Sequence, residues 1–389
     1  MKAINNLKVK IFLSLLKKCK KGNLTITTPD NEIIEIKKTQ DVFADINIKN
    51  WEIVGNMMKY GDVGFASDYK KGNWSSSNLK DLFTFVLIND EDLKKLLFGE
   101  SLVRFCSNLK YVFNKNTLSG SKKNIETHYD LGNDFYKIWL DKSLTYSSAL
   151  FENDNQDLYS AQINKYSRIN NILNSGNNRD LLEIGTGWGG FLNFAKNSYE
   201  KLDSITISKR QFEFAKNMHK DNGNIQIIYD DYRNVSKKYE SIVSIEMFEA
   251  VGSEYWNTFF QKINSLLINK GKAVIQTITI DDKLFDSYKK GTDAIRTFIF
   301  PGGMLPSQEI FIKYAKNNGF KVVDKFSFGD SYSKTLDIWH KNFKSNIETI
   351  SRLGFDEKFL RLWEYYLASC SSGFINNRTN VYQFVLQKT

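Results

Sequence analysis

The segment Leu181-Leu-Glu-Ile-Gly-Thr-Gly-Trp-Gly-Gly190 decides the fold. An apolar run that ends in alternating glycines is typical of a buried strand that turns sharply into a helix, because glycine adopts backbone conformations that other residues avoid. The backbone of such a turn comes close enough to contact a ligand. The sequence therefore predicts a ligand site at this turn.

Two kinds of ligand fit the turn. Its glycines satisfy the dinucleotide pattern G-x-G-x-x-G, but a dinucleotide site needs an acid at the end of the second strand to hold the ribose. The second predicted strand, 202–207, ends without an acid. The run from Glu183 to Gly189, E-x-G-x-G-x-G, is the pattern of S-adenosylmethionine (SAM) methyltransferases. We therefore favour SAM over a dinucleotide.

From Leu181 onwards, strand-like apolar runs alternate with amphipathic helical patterns, which predicts a parallel sheet covered by helices on both faces. Strands are expected at 181–185, 202–207, 225–230, 241–245, 273–279, 320–326 and 381–386, with helices such as 209–220 and 255–268. The predicted fold class is α/β, a class I SAM-dependent methyltransferase (Rossmann-like) sheet. Helical insertions near 334–350 and 356–369 are expected to cover the ligand.

The N-terminal part predicts a smaller α+β domain. Two short apolar runs flank Pro29-Asp-Asn31, which indicates a hairpin. A polar stretch at 114–124 is a plausible linker. We assign residues 1–120 to a lipid- or membrane-docking domain and residues 121–389 to a methyltransferase domain with substrate-covering insertions.

Positive charge is concentrated at the N-terminus. The net charge is +10, and residues 1–21 contain seven lysines and no acid. Ile4, Leu7, Ile11 and Leu15 fall on one face of a predicted helix. Two interpretations remain open: the helix rests on an anionic membrane surface, or it packs on its own domain. No run is long enough to span a bilayer, and the cysteine usage fits a reducing cytosol, so we expect a cytoplasmic protein. With the helix on lipid, the protein is expected to be peripheral at the inner face of the cytoplasmic membrane.

Several kinds of chemistry are not indicated. The three cysteines are far apart and suggest neither disulfides nor a structural zinc site. The three histidines lack metal-ligand spacing, so no metal is expected. A serine nucleophile elbow is absent from the sequence. We expect no nucleic-acid partner.

Polar residues follow the predicted strands at the edge where a substrate would lie. Glu246 and Glu249 come after the fourth strand, where a carboxylate can orient a base, stabilise a cation or cap the next helix. Asp231 and Tyr232 follow the third strand, at a place suited to an adenine contact or to a plain turn. Tyr332 opens an inserted helix, either as a core anchor or as an active-site hydroxyl.

Several blocks in order resemble the cyclopropane fatty acid synthase family, which includes the mycolic acid cyclopropane synthases. The blocks are 128–136 (HYDLGNDFY), 144–151 (LTYSSALF), 181–190, 206–211 (TISKRQ), 244–252 (SIEMFEAVG), 300–307 (FPGGMLPS) and 332–339 (YSKTLDIW). Residues 21–89 also resemble the N-terminal domain of that family, so the resemblance covers nearly the whole chain.

The resemblance implies a set of SAM-binding residues, in which Gln211 bonds the ribose hydroxyls that an acid usually takes. The implied set is Tyr146, Ser147, Gly185, Gly187, Trp188, Thr206, Ile207, Gln211 and Tyr232. The glycine turn adds Glu183 and Gly189 to the predicted cofactor-binding residues, and the end of the third strand adds Asp231. The implied reaction adds the SAM methyl group to a cis double bond of a phospholipid acyl chain. The resulting carbocation then loses a proton to a bound bicarbonate, and the ring closes.

The implied catalytic residues depart from the family pattern. Glu249 and Tyr332 match, but Ser148 stands where Cys is usual, Gln276 where His is usual, and Ala250 where a His commonly follows the Glu. These changes bear on ring closure more than on methyl transfer, because they remove an imidazole from a site that must dispose of a proton. Bicarbonate remains an open alternative, held differently. Cys370 matches a family cysteine often named as active, although a small buried thiol fits it better.

The leading hypothesis is a cyclopropane-fatty-acyl-phospholipid synthase acting on bilayers that contain unsaturated acyl chains. Two alternatives stay open: a fatty-acyl methyltransferase that gives methyl- or methylene-branched chains, and a small-molecule N- or O-methyltransferase. The oligomeric state is also open, with a homodimer as one alternative.

Overall fold

The computed structural model describes residues 7–97, 131–174 and 179–389. The predicted linker at 114–124, Ile4, Cys106 and His128 lie outside these residues. Contacts divide the chain into two compact units. The first combines 1–113, 287–299 and 339–377, and the second combines 114–286, 300–338 and 378–389. Two segments of the predicted methyltransferase domain, 287–299 and 339–377, therefore group with the N-terminal unit.

Helices and strands alternate along most of the described chain. The helices are α1 (Leu7–Lys18), α2 (Glu52–Tyr60), α3 (Asp62–Lys70), α4 (Leu79–Ile88), α5 (Asp90–Leu97), α6 (Asn133–Trp139), α7 (Leu158–Leu173), α8 (Gly190–Ala195), α9 (Lys209–Met218), α10 (Trp256–Leu266), α11 (Phe285–Lys290), α12 (Ala294–Phe298), α13 (Gln308–Asn317), α14 (Gly329–Ser345), α15 (Ile347–Arg352) and α16 (Glu357–Ile375). The strands are β1 (Asn23–Thr27), β2 (Ile33–Lys37), β3 (Phe43–Ile48), β4 (Trp74–Ser75), β5 (Asp180–Ile184), β6 (Lys201–Thr206), β7 (Ile225–Tyr229), β8 (Tyr239–Ile245), β9 (Leu267–Ile280), β10 (Phe320–Ser327) and β11 (Thr379–Lys388).

In the first unit, helices pack on a small sheet with the strand order β2-β1-β3-β4. The predicted hairpin is confirmed, since β1 and β2 pair antiparallel with Leu24 opposite Ile36. Leu24 and Ile26 are buried while their neighbours on β1 are partly exposed, which is the alternation of a sheet with one covered face. The core that covers this face includes Tyr365 and Ala368 of α16.

Helix α1 has apolar residues on two faces. Val9, Phe12 and Leu16 are buried in the core of the first unit. The predicted stripe is a different one: Leu7 is 70 % exposed and Ile11 is 42 % exposed. The helix therefore packs on its own unit and still presents apolar side chains to solvent, so the two interpretations offered by the sequence are compatible.

The second unit contains the predicted class I methyltransferase sheet, with the strand order β10-β11-β9-β8-β5-β6-β7. The strands from β5 to β9 are parallel to their neighbours in this series, and β11 is antiparallel to both β9 and β10. Residues 181–184 of β5 are all buried, as expected for a central parallel strand covered on both faces. The predicted strands are thus confirmed, with ends that differ by a few residues at most places.

The strand order places a crevice at the carboxyl end of β5. From β5 the chain continues to β6 and β7 on one side of the sheet and then to β8 and β9 on the other. At such a switch point the connections leave in opposite directions, which opens a ligand site between them. No helix in the described part of the chain is both long enough and apolar enough to cross a membrane.

Candidate active site

The turn after β5 exposes its backbone. Gly185, Gly187 and Gly189 have φ values of 102°, 53° and 82°, in the region that favours glycine. A Cβ on Gly185 would lie 3.2 Å from the Cβ of Met247. A Cβ on Gly187 would meet no atom within 4 Å, because this glycine borders open space. The turn thus forms a cradle that side chains would fill and that glycines leave to a ligand.

A pocket opens beside this turn, with about 1150 Å³ of empty space that includes its open mouth. All of the predicted SAM-binding residues line it except Gly189. Those lining residues are Tyr146, Ser147, Glu183, Gly185, Gly187, Trp188, Thr206, Ile207, Gln211, Asp231 and Tyr232. A Cβ on Gly189 would instead lie 3.2 Å from the ring nitrogen Nε2 of His219, so this glycine permits close helix packing.

The end of β6 and the cap of α9 position Gln211, the residue predicted to contact the ribose. Ser208 caps α9 by accepting a hydrogen bond from the backbone N–H of Gln211. The hydroxyl of Thr206 donates to the amide oxygen of Gln211 over 3.2 Å. This bond uses the oxygen of the amide, so its NH2 group is the part with hydrogens for a ribose hydroxyl.

Asp231 and Tyr232 have different roles after β7. Asp231 caps the short 3-10 turn Tyr232–Asn234 and forms an ion pair with Arg233 at 2.7 Å. The ring of Tyr232 packs edge-on against Phe259 and lines the pocket. Burial raises the pKa of Tyr232 above its usual value. Asp231 therefore shapes the turn, while Tyr232 lines the pocket at the place where the sequence predicts an adenine contact.

Two ionisable residues at the glycine turn are almost fully buried. Glu183 accepts a hydrogen bond from Ser204 at 2.6 Å, and burial raises the pKa of Glu183 to about 8. Lys165 of α7, which the sequence analysis missed, donates to the hydroxyl of Ser147 at 2.7 Å. Burial lowers the pKa of Lys165 to about 7, against the attraction of Glu246 and other carboxylates. A lysine on the inward face of an amphipathic helix was the available signal for this residue.

On the opposite side of the crevice, Glu246 lines the pocket directly after β8. Its φ of 50° lies in the left-handed region, which is uncommon for a residue other than glycine. Its Oε1 accepts hydrogen bonds from the backbone N–H of Ser148 at 2.9 Å and from the amide of Gln276 at 2.8 Å. Its Oε2 accepts one from the hydroxyl of Tyr332 at 2.6 Å. The carboxylate thus accepts hydrogen bonds from three of the predicted catalytic residues.

These donors suit a carboxylate. Burial raises the pKa of Glu246, while the Tyr332 hydroxyl and the positive charge of Lys165 oppose that rise. The pKa of Tyr332 lies well above its usual value because the phenol is buried beside Glu246, so it remains protonated as a donor. The hydroxyl of Ser148 points elsewhere and donates to the carbonyl of Ala149. Ser148 therefore contributes its backbone to this cluster.

A polar chain fixes the orientation of Gln276. Its amide oxygen accepts from the amide of Gln383 at 3.0 Å, which turns the NH2 group of Gln276 toward Glu246. The oxygen of Gln383 in turn accepts from Arg168 at 2.8 Å. A guanidinium has only donors, so this end of the chain sets the direction of both amides.

Glu249, which the resemblance places among the catalytic residues, is not among the residues that line the pocket. One of its oxygens accepts from the Thr277 hydroxyl and from the backbone N–H of Ile278. Burial, followed by the charge of Glu246, raises the pKa of Glu249 to about 8. The acid that bonds Tyr332 is Glu246, three residues earlier. The sequence singled out both acids, but spacing alone did not show which one faces the pocket.

Cys370 belongs to the other unit, in α16. Desolvation raises the pKa of its thiol to about 12, so the reactive thiolate form is disfavoured at neutral pH. This fits the interpretation of Cys370 as a small packing residue. Among the described residues, no group of His, Cys, Asp and Glu is arranged to hold a metal ion.

The comparisons with known proteins agree with this geometry. The family model described as mycolic acid cyclopropane synthetase matches residues 116–384. Tuberculostearic acid methyltransferase UfaA1 of Mycobacterium tuberculosis is 32 % identical over 340 residues, which cover 84 % of this chain and 79 % of that protein. Cyclopropane-fatty-acyl-phospholipid synthase of Escherichia coli K12 is 29 % identical over 355 residues, 89 % of this chain and 88 % of that protein.

A solved structure extends the likeness to three dimensions. The crystal structure of mycolic acid cyclopropane synthase CmaA1 complexed with SAH and CTAB superposes with a TM-score of 0.64 at 31 % identity, and the match covers 69 % of this chain and 98 % of that one. Coclaurine N-methyltransferase, at 18 % identity and a TM-score of 0.65, shares the fold. The protein is a SAM-dependent methyltransferase acting in lipid chemistry, and the chain belongs to the mycolic acid cyclopropane synthetase family.

Proposed function

We propose that the protein adds the methyl group of SAM to a cis double bond in a phospholipid acyl chain and then closes a cyclopropane ring. The observation that carries this proposal is the carboxylate of Glu246, which is held by three donors in the wall of the pocket that contains the glycine turn. A carboxylate there stabilises positive charge on a hydrocarbon and accepts a proton from it.

The residues of the pocket fit SAM and support each step. When bound, SAM supplies a methyl group on a positively charged sulfur. The alkene has no lone pair, so its π electrons form the new carbon–carbon bond, and catalysis depends on alignment in a place that excludes water. The second alkene carbon is left positive. Glu246 then takes a proton from the added methyl group, and the C–H electron pair closes the ring.

The position of Glu246 suits removal of a proton from the added methyl group, which is the last step of ring closure. This carboxylate lines the same pocket as Gly185 and Gly187, so a methyl group delivered from a cofactor at the glycine turn would come close to it. One observation favours methylene or methyl branching as the second candidate: UfaA1, a relative at 32 % identity, is named as a tuberculostearic acid methyltransferase. In that case a hydride shifts from the methyl-bearing carbon to the neighbouring cationic carbon, and the methyl group then loses a proton to leave a methylene branch.

Helix α1 supports a bilayer as the source of the acyl chain. Its exposed Leu7 and Ile11 lie one turn apart, and Lys10, Lys17 and Lys18 of the same helix are exposed. An amphipathic helix of this kind lies in the interface of an anionic membrane, with apolar side chains among the lipids and lysines at the head groups. We extend the proposal to peripheral docking of the first unit through α1.

Incubation of the protein with SAM and oleoyl-phosphatidylglycerol vesicles, followed by mass spectrometry of the fatty esters, tests the reaction. We expect a gain of one CH2 that resists mild hydrogenation, as a ring does. A gain that takes up hydrogen would favour the methylene product. Turnover of soluble amines or phenols with no change in the lipids would overturn the proposal in favour of a small-molecule methyltransferase.

Docking is tested by vesicle flotation of the double variant Leu7→Asp/Ile11→Asp. Both side chains are exposed, so the variant should fold, yet its binding to phosphatidylglycerol vesicles should fall about tenfold or more because two carboxylates would enter the interface. Met218→Asp is a matched control, since Met218 is an exposed apolar residue at the end of α9. Equal binding by all three proteins would contradict docking through α1.

A further inference from the structure

The hydrogen-bond donors that a bicarbonate would need already donate to a side chain of the protein. The resemblance places the bicarbonate among positions 148, 249, 276 and 332, which Ser148, Glu249, Gln276 and Tyr332 occupy in this chain. In the structure the backbone N–H of Ser148, the amide of Gln276 and the hydroxyl of Tyr332 all donate to the carboxylate of Glu246, over 2.6 to 2.9 Å. A carboxylate has the same planar O–C–O group as bicarbonate. These residues therefore already hold an anion, and it belongs to the chain.

A free bicarbonate does not fit beside this carboxylate. It would have to displace Glu246 from three hydrogen bonds, or bring a second negative charge next to a buried one without those donors. The orientation of Gln276 is also fixed, because the hydrogen bonds from Arg168 to Gln383 and from Gln383 to Gln276 turn the NH2 group of Gln276 toward Glu246.

The backbone indicates that this side chain is retained for a function. Glu246 has φ 50°, a conformation that costs free energy in residues other than glycine. A glycine at this position would relieve that strain and would remove a buried carboxylate. Strain of this kind persists where the surrounding structure enforces it, and here the three hydrogen bonds and the pocket position of Glu246 supply the reason.

We infer that Glu246 is a built-in substitute for bicarbonate, so that the protein completes its reaction without any added anion. The inference rests on the proposed function, in which a methyl C–H bond must break. In that step the proton bonds to a Glu246 oxygen, and the C–H electron pair forms the ring bond. The bond between the methyl carbon and sulfur would break in the preceding transfer, with its electron pair going to sulfur. Glu246 returns the proton to water before the next turnover, which gives one proton per product.

Two variants at position 246 separate the possibilities. Glu246→Gly empties the space and should fold, because glycine favours the local φ. Its turnover on oleoyl phospholipid should fall at least 100-fold in buffer purged of carbon dioxide and recover at least tenfold when bicarbonate is added. Glu246→Gln should lose a similar factor without recovery, because its amide keeps the space filled. Wild-type turnover should not respond to bicarbonate.

A binding measurement makes the test independent of turnover. The 13C resonance of labelled bicarbonate should broaden when Glu246→Gly is added and should stay sharp with the wild type and with Glu246→Gln. Equal SAM affinity of the three proteins by calorimetry would show that the pocket is intact.

The inference is overturned if wild-type turnover falls when bicarbonate is removed, if the wild type broadens the bicarbonate resonance, or if Glu246→Gly works at full rate without the anion. If the wild type does not modify the lipid at all, the proposed function fails. The bicarbonate resonance would still decide whether Glu246 holds the place of the anion.

Discussion

The two sides of the pocket differ in what fixes their residues. On the glycine-turn side, local backbone geometry sets the site, and every predicted SAM residue except Gly189 lines the cavity. On the side after β8, none of the predicted catalytic residues lines the cavity. Three of them instead donate hydrogen bonds to Glu246, which does line it. A motif that acts through its backbone can be located from sequence alone, whereas a cluster of side chains from distant strands and helices needs the fold.

The strongest test of this contrast concerns Lys165, an unpredicted residue on the well-predicted side. Its ammonium group donates to Ser147, and it is fully buried. A hydrogen bond to a charged group contributes about 1.5–3 kcal/mol. We expect Lys165→Met to weaken SAM binding about 10- to 100-fold in calorimetry, because Ser147 loses the donor that orients its hydroxyl toward the cofactor.

Two controls separate orientation from folding. Lys209→Met removes an exposed lysine and should leave SAM affinity unchanged. The double variant Lys165→Met/Ser147→Ala should bind SAM no more weakly than the worse single variant, because the two residues act as one pair. Methionine removes the free-energy cost of burying an amine, so the melting temperature of Lys165→Met should not fall. A lowered melting temperature would indicate that Lys165 has a structural role.

The fold itself was predictable because its signals are local. The strands of the large sheet and the hairpin of the first unit follow from apolar runs and from turn residues, and both are confirmed. Helix α1 shows the limit of such reasoning. Its sequence holds two apolar faces, and only the core of the first unit decides that Val9 and Phe12 are buried while Leu7 is exposed.

The choice between Glu246 and Glu249 needed the structure for a similar reason. Both acids follow the same strand, and either spacing is compatible with an active site. The left-handed φ of Glu246 and the arrival of Tyr332 from a segment more than 80 residues later select the first acid. Neither the backbone angle nor the long-range contact can be predicted from the residues next to Glu246.

A medium-sized effect is expected on the less predictable side, at Tyr332. The Tyr332→Phe variant removes one donor from Glu246 and should lower turnover about tenfold, in line with the loss of one hydrogen bond to a charged group. The tyrosine hydroxyl lowers the pKa of Glu246, so its loss should raise that pKa. Because the base must be ionised, the acid limb of the pH–rate profile should move to higher pH.

SAM affinity provides the control for Tyr332→Phe. It should not change, since Tyr332 does not line the pocket. A weakened SAM affinity with an unmoved pH profile would mean that Tyr332 supports the cofactor side, and the division of the pocket into two sides would not hold.

The smallest effect on turnover is expected at Glu249, where the prediction concerns stability. Burial, together with the charge of Glu246, raises the pKa of Glu249 to about 8, well above the usual value for a glutamate. A carboxyl group whose pKa is raised on folding contributes stability that is complete below the unfolded value and is lost as pH rises through the folded one. The wild type should therefore lose stability from this group as the pH rises from the unfolded pKa of the carboxyl group to about 8. Glu249→Gln keeps the acceptor for Thr277 and cannot ionise. Urea unfolding at pH 5 and pH 9 should therefore show a smaller loss of unfolding free energy in this variant than in the wild type. The control Glu213→Gln, at an exposed site, should lose as much unfolding free energy as the wild type. An identical loss of unfolding free energy in Glu249→Gln would mean that the carboxyl of Glu249 ionises in the folded state as easily as in water. Glu249 would then be a second candidate, beside Glu246, for the base that accepts the proton.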